Sequence, residues 1–210
     1  MVYPVTFEAD YVEQRSRLTS FFRSLMAIPI LIWVAIYGIA AMFVWIAAWF
    51  AIVFTGKFPP GMYKFLADFI DVEVSALAYQ ALLTEPYPPF KASDKADNYP
   101  VRMYFAGPLP QYSRAKTFFR GLLAIPIYFM RYAAQIMLNI CAFGAWVMCV
   151  FTARLPRGLF DPMVLASSYI ARSDGYIFLL TETYPPFQDD QTRTAGLADT
   201  DPVPEGLQTP

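Results

Sequence analysis

The sequence predicts an all-α integral membrane protein made of two tandem repeats. The first observation is composition: 57% of the 210 residues are hydrophobic and only 16% are charged, which is too apolar for an ordinary soluble domain. The second is Ile28–Phe54, a stretch without a charged residue. Because about 20 apolar residues in a helix cross a hydrocarbon core of about 30 Å, this stretch is long enough to span a membrane. The third is Ile125–Phe151, which repeats the same plan.

The two apolar stretches belong to two copies of one unit. Residues 16–90 align with residues 113–187 without a gap, and 27 of the 75 aligned positions are identical. Both copies end in nearly the same sequence motif, at Leu82–Phe90 and Leu179–Phe187. The duplication divides the chain into residues 1–90 as unit 1, 91–98 as a polar linker, 99–187 as unit 2 and 188–210 as an acidic tail that we expect to be disordered.

Each unit begins with an arm and an amphipathic segment. The arms start with Y-P-V, at Tyr3 and Tyr99, and their rough alternation of residue types predicts a short extended segment. Residues 16–27 then place apolar side chains on one helical face and polar or basic ones on another. We interpret this segment and its copy as interfacial helices, with Arg23 and Arg120 as candidate contacts to lipid phosphates. A membrane anchor without lipid selectivity is the simpler explanation.

A third element follows each apolar stretch. Pro29 and Pro126 predict a bend near the start of the stretch, because proline removes a backbone donor. After a turn rich in Gly and Pro, Met62–Leu83 has a helical pattern but contains several charged residues. Since a charge at the centre of a membrane helix costs about 2.5–3.5 kcal/mol, we expect this element to be an amphipathic interfacial helix. Each repeat is then a long apolar membrane helix flanked by amphipathic interfacial helices.

The number of crossings per repeat stays open at this stage. With one crossing, the units have opposite orientations and their basic residues divide nearly equally between the two sides. With two crossings, most basic residues fall on the side of the N-terminus. This asymmetry favours an even number of crossings, whereas the acids of the third element argue against a second span. A shallow re-entrant hairpin in Ile28–Phe54 would satisfy both observations. We expect the N-terminus to be cytoplasmic.

A polar row in the second apolar stretch is the sharpest candidate site. Arg131, Gln135 and Asn139 are four residues apart and share one helical face, whereas the first copy has apolar or small residues there. Polar residues at membrane depth indicate a substrate path, a headgroup contact or a buried partner, although Arg131 is also placed to snorkel towards headgroups. The candidate charge partners are acids of the third element, namely Asp68, Asp71 and Glu73.

Several function classes are disfavoured by what the sequence contains. Histidine is absent, and Cys141 and Cys149 lie inside the second apolar stretch, where they resemble small buried hydrophobes. There is no glycine-rich phosphate loop and no nucleophile elbow. We therefore predict no catalytic residue, no metal site and no cofactor. A net charge of −1 without a basic block also argues against nucleic acid as a partner.

The repeated sequence motifs resemble the pattern of a known family. The bacterial family of unknown function DUF4389 combines a Y-P-V start, F-F-R followed by A-I-P, an apolar helix ending in F-T-G-[KR]-x-P-x-G, and a closing L-L-T-[DE]-x-Y-P-P-F. Unit 1 carries this pattern nearly whole, with FTGKFPPG at Phe54–Gly61, and unit 2 departs from it at Ala153, where Gly is usual. The resemblance covers residues 3–187 and implies a protein of the bacterial inner membrane, without an implied activity.

The sequence predicts a structural or accessory role. We expect a non-enzymatic scaffold or subunit of a membrane complex, with membrane lipids and either another membrane protein or a second copy as partners. The alternative is a small transporter or lipid-handling protein with a path at the repeat interface, lined by Arg131, Gln135 and Asn139. A scaffold should co-purify with fixed partners and show no polar cavity, whereas a transporter should purify alone and show one at the repeat interface.

Overall fold

The computed structural model describes residues 3–186, and the tail that we predicted to be disordered lies outside them. The described chain is mostly helical, with two short strands. Its elements in chain order are β1 (Val5–Ala9), α1 (Arg17–Thr55), α2 (Pro60–Gln80), a 3-10 turn (Ala92–Asp94), β2 (Val101–Phe105), α3 (Arg114–Phe118), α4 (Arg120–Leu123), α5 (Ile125–Thr152) and α6 (Arg157–Ile177). The strands confirm the predicted extended arms.

The ends of α1 follow from local signals in the sequence. The hydroxyl of Ser16 accepts a hydrogen bond from the N–H of Thr19, which satisfies a free donor at the start of the helix. Gly56 ends the helix in the left-handed conformation, at φ 72°, where a residue without Cβ has no steric penalty. The bend predicted at the prolines is a helix boundary only in unit 2. There Pro126 lies in the first turn of α5, where its missing N–H needs no partner, whereas α1 continues through Pro29.

The two units are inverted relative to each other. The ring of Phe21, near the start of α1, stacks on Trp146 near the end of α5 at 6.3 Å, and Trp49 near the end of α1 lies 5.9 Å from Phe118 in α3. The helix α1 therefore runs antiparallel to α3–α5. The backbone agrees, because the N–H of Tyr112, just before unit 2's first helix, donates to the carbonyl of Gly56 at 2.9 Å.

The elements form three layers. Helices α1 and α3–α5 make an outer layer, and α2 and α6 make a middle layer, each packed against the long helix of its own unit and against the other. Strands β1 and β2 pair antiparallel, with Phe7 opposite Met103, as a two-stranded ribbon. The ribbon packs on the far side of the middle layer, with β1 against α6 and β2 against α2.

The core lies between the layers, and the outer layer turns a second apolar surface outward. Large buried side chains of the core include Leu66, Ile70, Leu138, Leu155 and Ile170. The outward surface, which we name the apolar face, consists of exposed side chains of the outer layer, including Leu18, Phe22, Ile32, Ile36, Phe43, Phe50, Phe54, Phe129, Ile136, Ile140 and Phe151.

The helices α1 and α5 are long and apolar enough to cross a membrane, by length and composition. Only 11% of the most apolar part of α1 and 22% of that of α5 is buried. These helices therefore differ from the buried core helix of a soluble domain.

The third elements lie inside the protein, and their expected position at the membrane interface stays a prediction. Both α2 and α6 are mostly buried in the middle layer, between the outer layer and the ribbon. An amphipathic helix was expected because charged side chains that lack a partner need water. In the structure the carboxylate of Asp71 pairs with the ammonium group of Lys95 instead, and such pairing offsets part of the free energy of burying charge.

Candidate functional site

A partly buried ion cluster lies where the two units meet. From α5, the guanidinium group of Arg131 donates through Nε to Oδ1 of Asp174 at 2.7 Å and through Nη2 to Oδ2 at 3.0 Å. This two-bond geometry is the strong form of the arginine–carboxylate pair. The side chain of Asp174 is only 4% exposed, so its charge depends on Arg131.

Unit 1 contributes a second carboxylate to the cluster. Glu73 of α2 places Oε1 3.9 Å from Nη2 of Arg131, while its Oε2 has no hydrogen-bond partner within residues 3–186. Burial and the neighbouring carboxylate of Asp174 raise the pKa of Glu73, and the single cation of Arg131 only partly opposes them. Two carboxylates share one guanidinium group, and burial raises the pKa of Asp174 as well, against the opposing effect of Arg131.

The cluster lies at mid-length of the molecule. Two aromatic contacts, described above, join α1 to α3–α5 near both ends. The residues halfway between these contacts are Ala35 on α1 and Tyr132 on α5, and Arg131 is next to Tyr132. On the other side, Gly175 follows Asp174. A Cβ atom at Gly175 would lie 2.8 Å from Cγ2 of Val5, so β1 packs directly on this part of α6. The ribbon therefore passes the cluster at the same level along the molecule.

The remaining members of the polar row lie in a separate cavity. Gln135 donates from Nε2 to Oδ1 of Asn139 at 3.2 Å. Both line a cavity of about 370 Å³ between unit 1 and α5, together with Arg23, Leu77 and further residues of both units. The structure thus divides the predicted row, because Arg131 pairs with Asp174 while Gln135 and Asn139 face open space between the repeats.

The arginines proposed as lipid contacts point inward. Arg23 is 1% exposed and Arg120 is 2% exposed. Nη1 of Arg23 donates to the carbonyl of Thr84 at 2.7 Å, and the guanidinium carbon lies 4.2 Å above the ring of Tyr79. These interactions hold the guanidinium group against the end of α2 and the loop after it. The expectation that these cations lie at the outer surface is wrong, because that surface is formed by the apolar side of the same segment.

Unit 2 repeats this arrangement. Arg120 donates to the carbonyl of Thr181 at 3.1 Å and lies 4.0 Å above the ring of Tyr176. The glutamate of the C-terminal motif has the same role in both units. Glu85 and Glu182 each accept a hydrogen bond from the backbone N–H of the serine that caps the first helix of the unit. We name the contacts of Arg23 and Arg120, each with a carbonyl and a tyrosine ring, the arginine lock. The arginine lock and the glutamate contact join the N-terminal and C-terminal ends of each unit.

The other predicted charge partners are engaged elsewhere. Asp68 accepts from Lys64, one helical turn away, at 2.8 Å, and Asp71 pairs with Lys95 of the linker. Among the three acids named from the sequence, Glu73 is therefore the one within 4.0 Å of Arg131.

Sequence reasoning missed the main partner, Asp174. Its counterpart in unit 1 is Leu77, just as the counterpart of Arg131 is Val34. Both charges are therefore present in one copy only. The signal that selected Arg131 was also present at Asp174, on the third element of the same unit.

Chemically, the cluster is suited to holding opposite charges close together. Within residues 3–186, no three or more His, Cys, Asp or Glu side chains converge to hold a metal ion. The arrangement in hand is one guanidinium group between two carboxylates, which fixes α5, α6 and α2 relative to one another.

Both units match one family model. The model described as Domain of unknown function (DUF4389) matches residues 17–92 and 114–188. These segments coincide with the two copies seen in the sequence, and the prediction of tandem copies of this family's unit is confirmed. Comparisons with curated proteins and with solved structures found no match.

Proposed function

The chain belongs to the DUF4389 family, and we propose that it is a non-enzymatic membrane protein with a structural or accessory role, which contacts lipid through its apolar face. We place it at the inner membrane of a bacterium, with its N-terminus in the cytoplasm. Its partners are membrane lipids and either another membrane protein or a second copy of the chain.

The distribution of polarity carries the proposal. The apolar face exposes large side chains, such as Phe54 at 72% and Phe129 at 73%, while Arg23 and Asp174 are buried. A protein folded in water has the reverse arrangement, with charges outside and large apolar groups inside. Contiguous apolar surface of this kind marks a membrane or protein interface.

A flotation experiment tests the lipid contact. The purified chain is mixed with vesicles of phosphatidylglycerol and phosphatidylethanolamine and centrifuged through a density gradient. We expect the protein to float with the vesicles and Ile36→Lys to float less, because the substitution places an ammonium group in the apolar face. Lys64→Ala, at an exposed position on α2, is the matched control. A chain that stays at the bottom of the gradient contradicts the proposal.

The accessory role has its own test. An accessory subunit should elute from mild detergent in a complex of fixed stoichiometry, either with a partner or with itself. The mass of the protein component, measured by light scattering, should then exceed the 23.8 kDa of one chain. A homogeneous monomer would contradict the accessory role.

A second candidate function is favoured by the cavity. A polar cavity at the repeat interface is the feature expected of a small transporter or lipid-handling protein, and Gln135 and Asn139 line such a cavity. Its lining combines polar groups with apolar ones such as Trp146, which suits an amphiphile. Native mass spectrometry should then detect a lipid that is retained by the parent chain and lost in Gln135→Leu/Asn139→Leu. Equal retention by both proteins contradicts this function.

A further inference from the structure

We infer that the protein lies flat in one leaflet of the membrane, with the apolar face among acyl chains and the ribbon in water. This inference rests on the proposed lipid contact and adds the orientation. It makes α1 and α5 in-plane helices instead of spanning ones. The surface that reaches the lipid is the whole outer layer, and its partner is one leaflet that contains anionic headgroups.

The order of the layers is the first argument. The ribbon packs on α2 and α6, and these separate it from the outer layer. One side of the molecule is thus apolar, and the opposite side carries charged side chains. Arg102 of β2 pairs with Glu8 and Asp10, whose side chains are both 50% exposed. A molecule with one apolar and one charged side matches the boundary between a leaflet and water.

The position of the ribbon along the molecule is the second argument. Val5 of β1 packs on Gly175, beside the ion cluster, and the cluster lies at mid-length of α1 and of α3–α5 taken together. If these helices crossed the bilayer, Glu8 and Arg102 would therefore lie near the centre of the hydrocarbon. In the part of the chain that the structure describes, the ribbon has two strands, so each strand has an outer edge with no strand partner there. Hydrocarbon cannot satisfy such edges, whereas water can.

The ends of the outer layer are the third argument. Exposed basic residues occur at both ends, with Arg17 and Arg154 at one end and Lys57 and Arg114 at the other. In a spanning orientation these groups would lie on opposite sides of the membrane, against the usual bias of basic residues to the cytoplasmic side. In the flat orientation both ends meet the same anionic leaflet. Helix α1, with 39 residues, is about 58 Å long, which also exceeds a bilayer of about 40–45 Å.

Accessibility of single cysteines tests the orientation. Cys141 and Cys149 are replaced by Ala, and cysteine is then placed at Lys57, at Arg154 or at Glu8, one position per variant. A maleimide that does not cross membranes is applied to intact spheroplasts and to sealed inverted vesicles from the same expressing bacteria. We expect all three positions to be labelled in inverted vesicles and protected in spheroplasts.

Each other labelling pattern overturns a defined part of the proposal. Labelling of Lys57→Cys and Arg154→Cys from opposite sides, or protection of Glu8→Cys from both, overturns the flat orientation and leaves lipid contact intact. Recovery of the chain outside the membrane fraction overturns the proposed function as well. A second ribbon packed on the first, as in a spanning dimer, would appear as protection of Glu8→Cys.

Depth measurements provide an independent readout. A fluorophore on Ile36→Cys probes the middle of α1, and one on Phe54→Cys probes its end. In vesicles with bromine at defined positions of the acyl chains, the flat orientation predicts that both fluorophores are quenched most by the same shallow bromine position. A spanning helix would place the fluorophore on Ile36→Cys much deeper than the one on Phe54→Cys. That result would overturn the inference.

Discussion

Unit 1 and unit 2 share one arrangement of helices but differ in the side chains where the long helix packs on the helix that follows it. Where unit 2 has Arg131 on α5 and Asp174 on α6, unit 1 has Val34 on α1 and Leu77 on α2. The same two helix positions thus hold an ion pair in one copy and an apolar pair in the other. Duplication supplied a packing position, and the chemistry at that position then diverged.

The ends of the units did not diverge in this way. Arg23 and Arg120 make the same hydrogen bond and the same ring contact, and Leu82 and Leu179 both adopt positive φ after their helices. These groups act within one unit. The cluster also needs Glu73 from the other unit, whose counterpart in unit 2 is the buried Ile170. The difference therefore arises where unlike surfaces meet across the repeat interface.

The largest expected effect comes from breaking the ion pair. Asp174→Leu leaves the guanidinium group of Arg131, whose side chain is 28% exposed, without its main carboxylate. The substitution should lower the free energy of unfolding by about 3 kcal/mol, the lower end of the range for a broken buried pair. Denaturant titration in detergent micelles, followed by tryptophan fluorescence, measures this loss. The matched control, Arg131→Val/Asp174→Leu, installs the residues of unit 1 and should lie within about 1 kcal/mol of the parent chain. A double variant as unstable as the single one would show that the pair is not the cause.

A smaller and equal effect is expected at the shared ends. Arg23→Met and Arg120→Met each remove a charge-assisted hydrogen bond to a backbone carbonyl while keeping most of the apolar stem. Each should lower the free energy of unfolding by about 2 kcal/mol, measured by the same titration. If one variant were neutral and the other strongly destabilised, the two arginines would not make equivalent contributions to the stability of their units.

The third prediction concerns pH and the unit 1 member of the cluster. The pKa of Glu73 is raised in the folded chain, so the folded state binds more protons than the unfolded state above the ordinary glutamate pKa of about 4.3. Stability contributed by this group should therefore fall as pH rises, by up to about 1.4 kcal/mol per pH unit until the raised pKa is passed. Glu73→Gln should flatten this dependence in melting curves from pH 5 to 8. An unchanged slope would assign it to other groups.

The smallest effect is expected at the turn after the long helix. Gly56 and Ala153 both adopt the left-handed conformation, at φ 72° and 58°. Because this conformation costs a residue with a Cβ about 1 kcal/mol, Ala153→Gly should raise the free energy of unfolding by that amount. Gly56→Ala is the reverse control. Its Cβ would lie 3.5 Å from the nearest side-chain atom, an ordinary contact, so its loss reports the backbone alone. Opposite signs in the two titrations support the assignment.

The local features of the fold could be read from the sequence. Both long apolar helices and the extended arms follow from residue types and periodicity, and the structure shows them. The burial of α2 inside the protein could not be read from the sequence, because its acids have partners that are distant in sequence. Lys95, which pairs with Asp71, comes from the linker, and Arg131, near Glu73, comes from the other unit.

The sequence by itself determined that two similar units exist and that each contains one long apolar helix. The tertiary structure decided that the units are inverted, that Arg131 pairs with Asp174, and that the ribbon lies opposite the apolar face. The physical reason is that periodicity defines the faces of one helix at a time. It does not specify which faces meet, because a constant offset between two copies is the same whether they pack parallel or antiparallel.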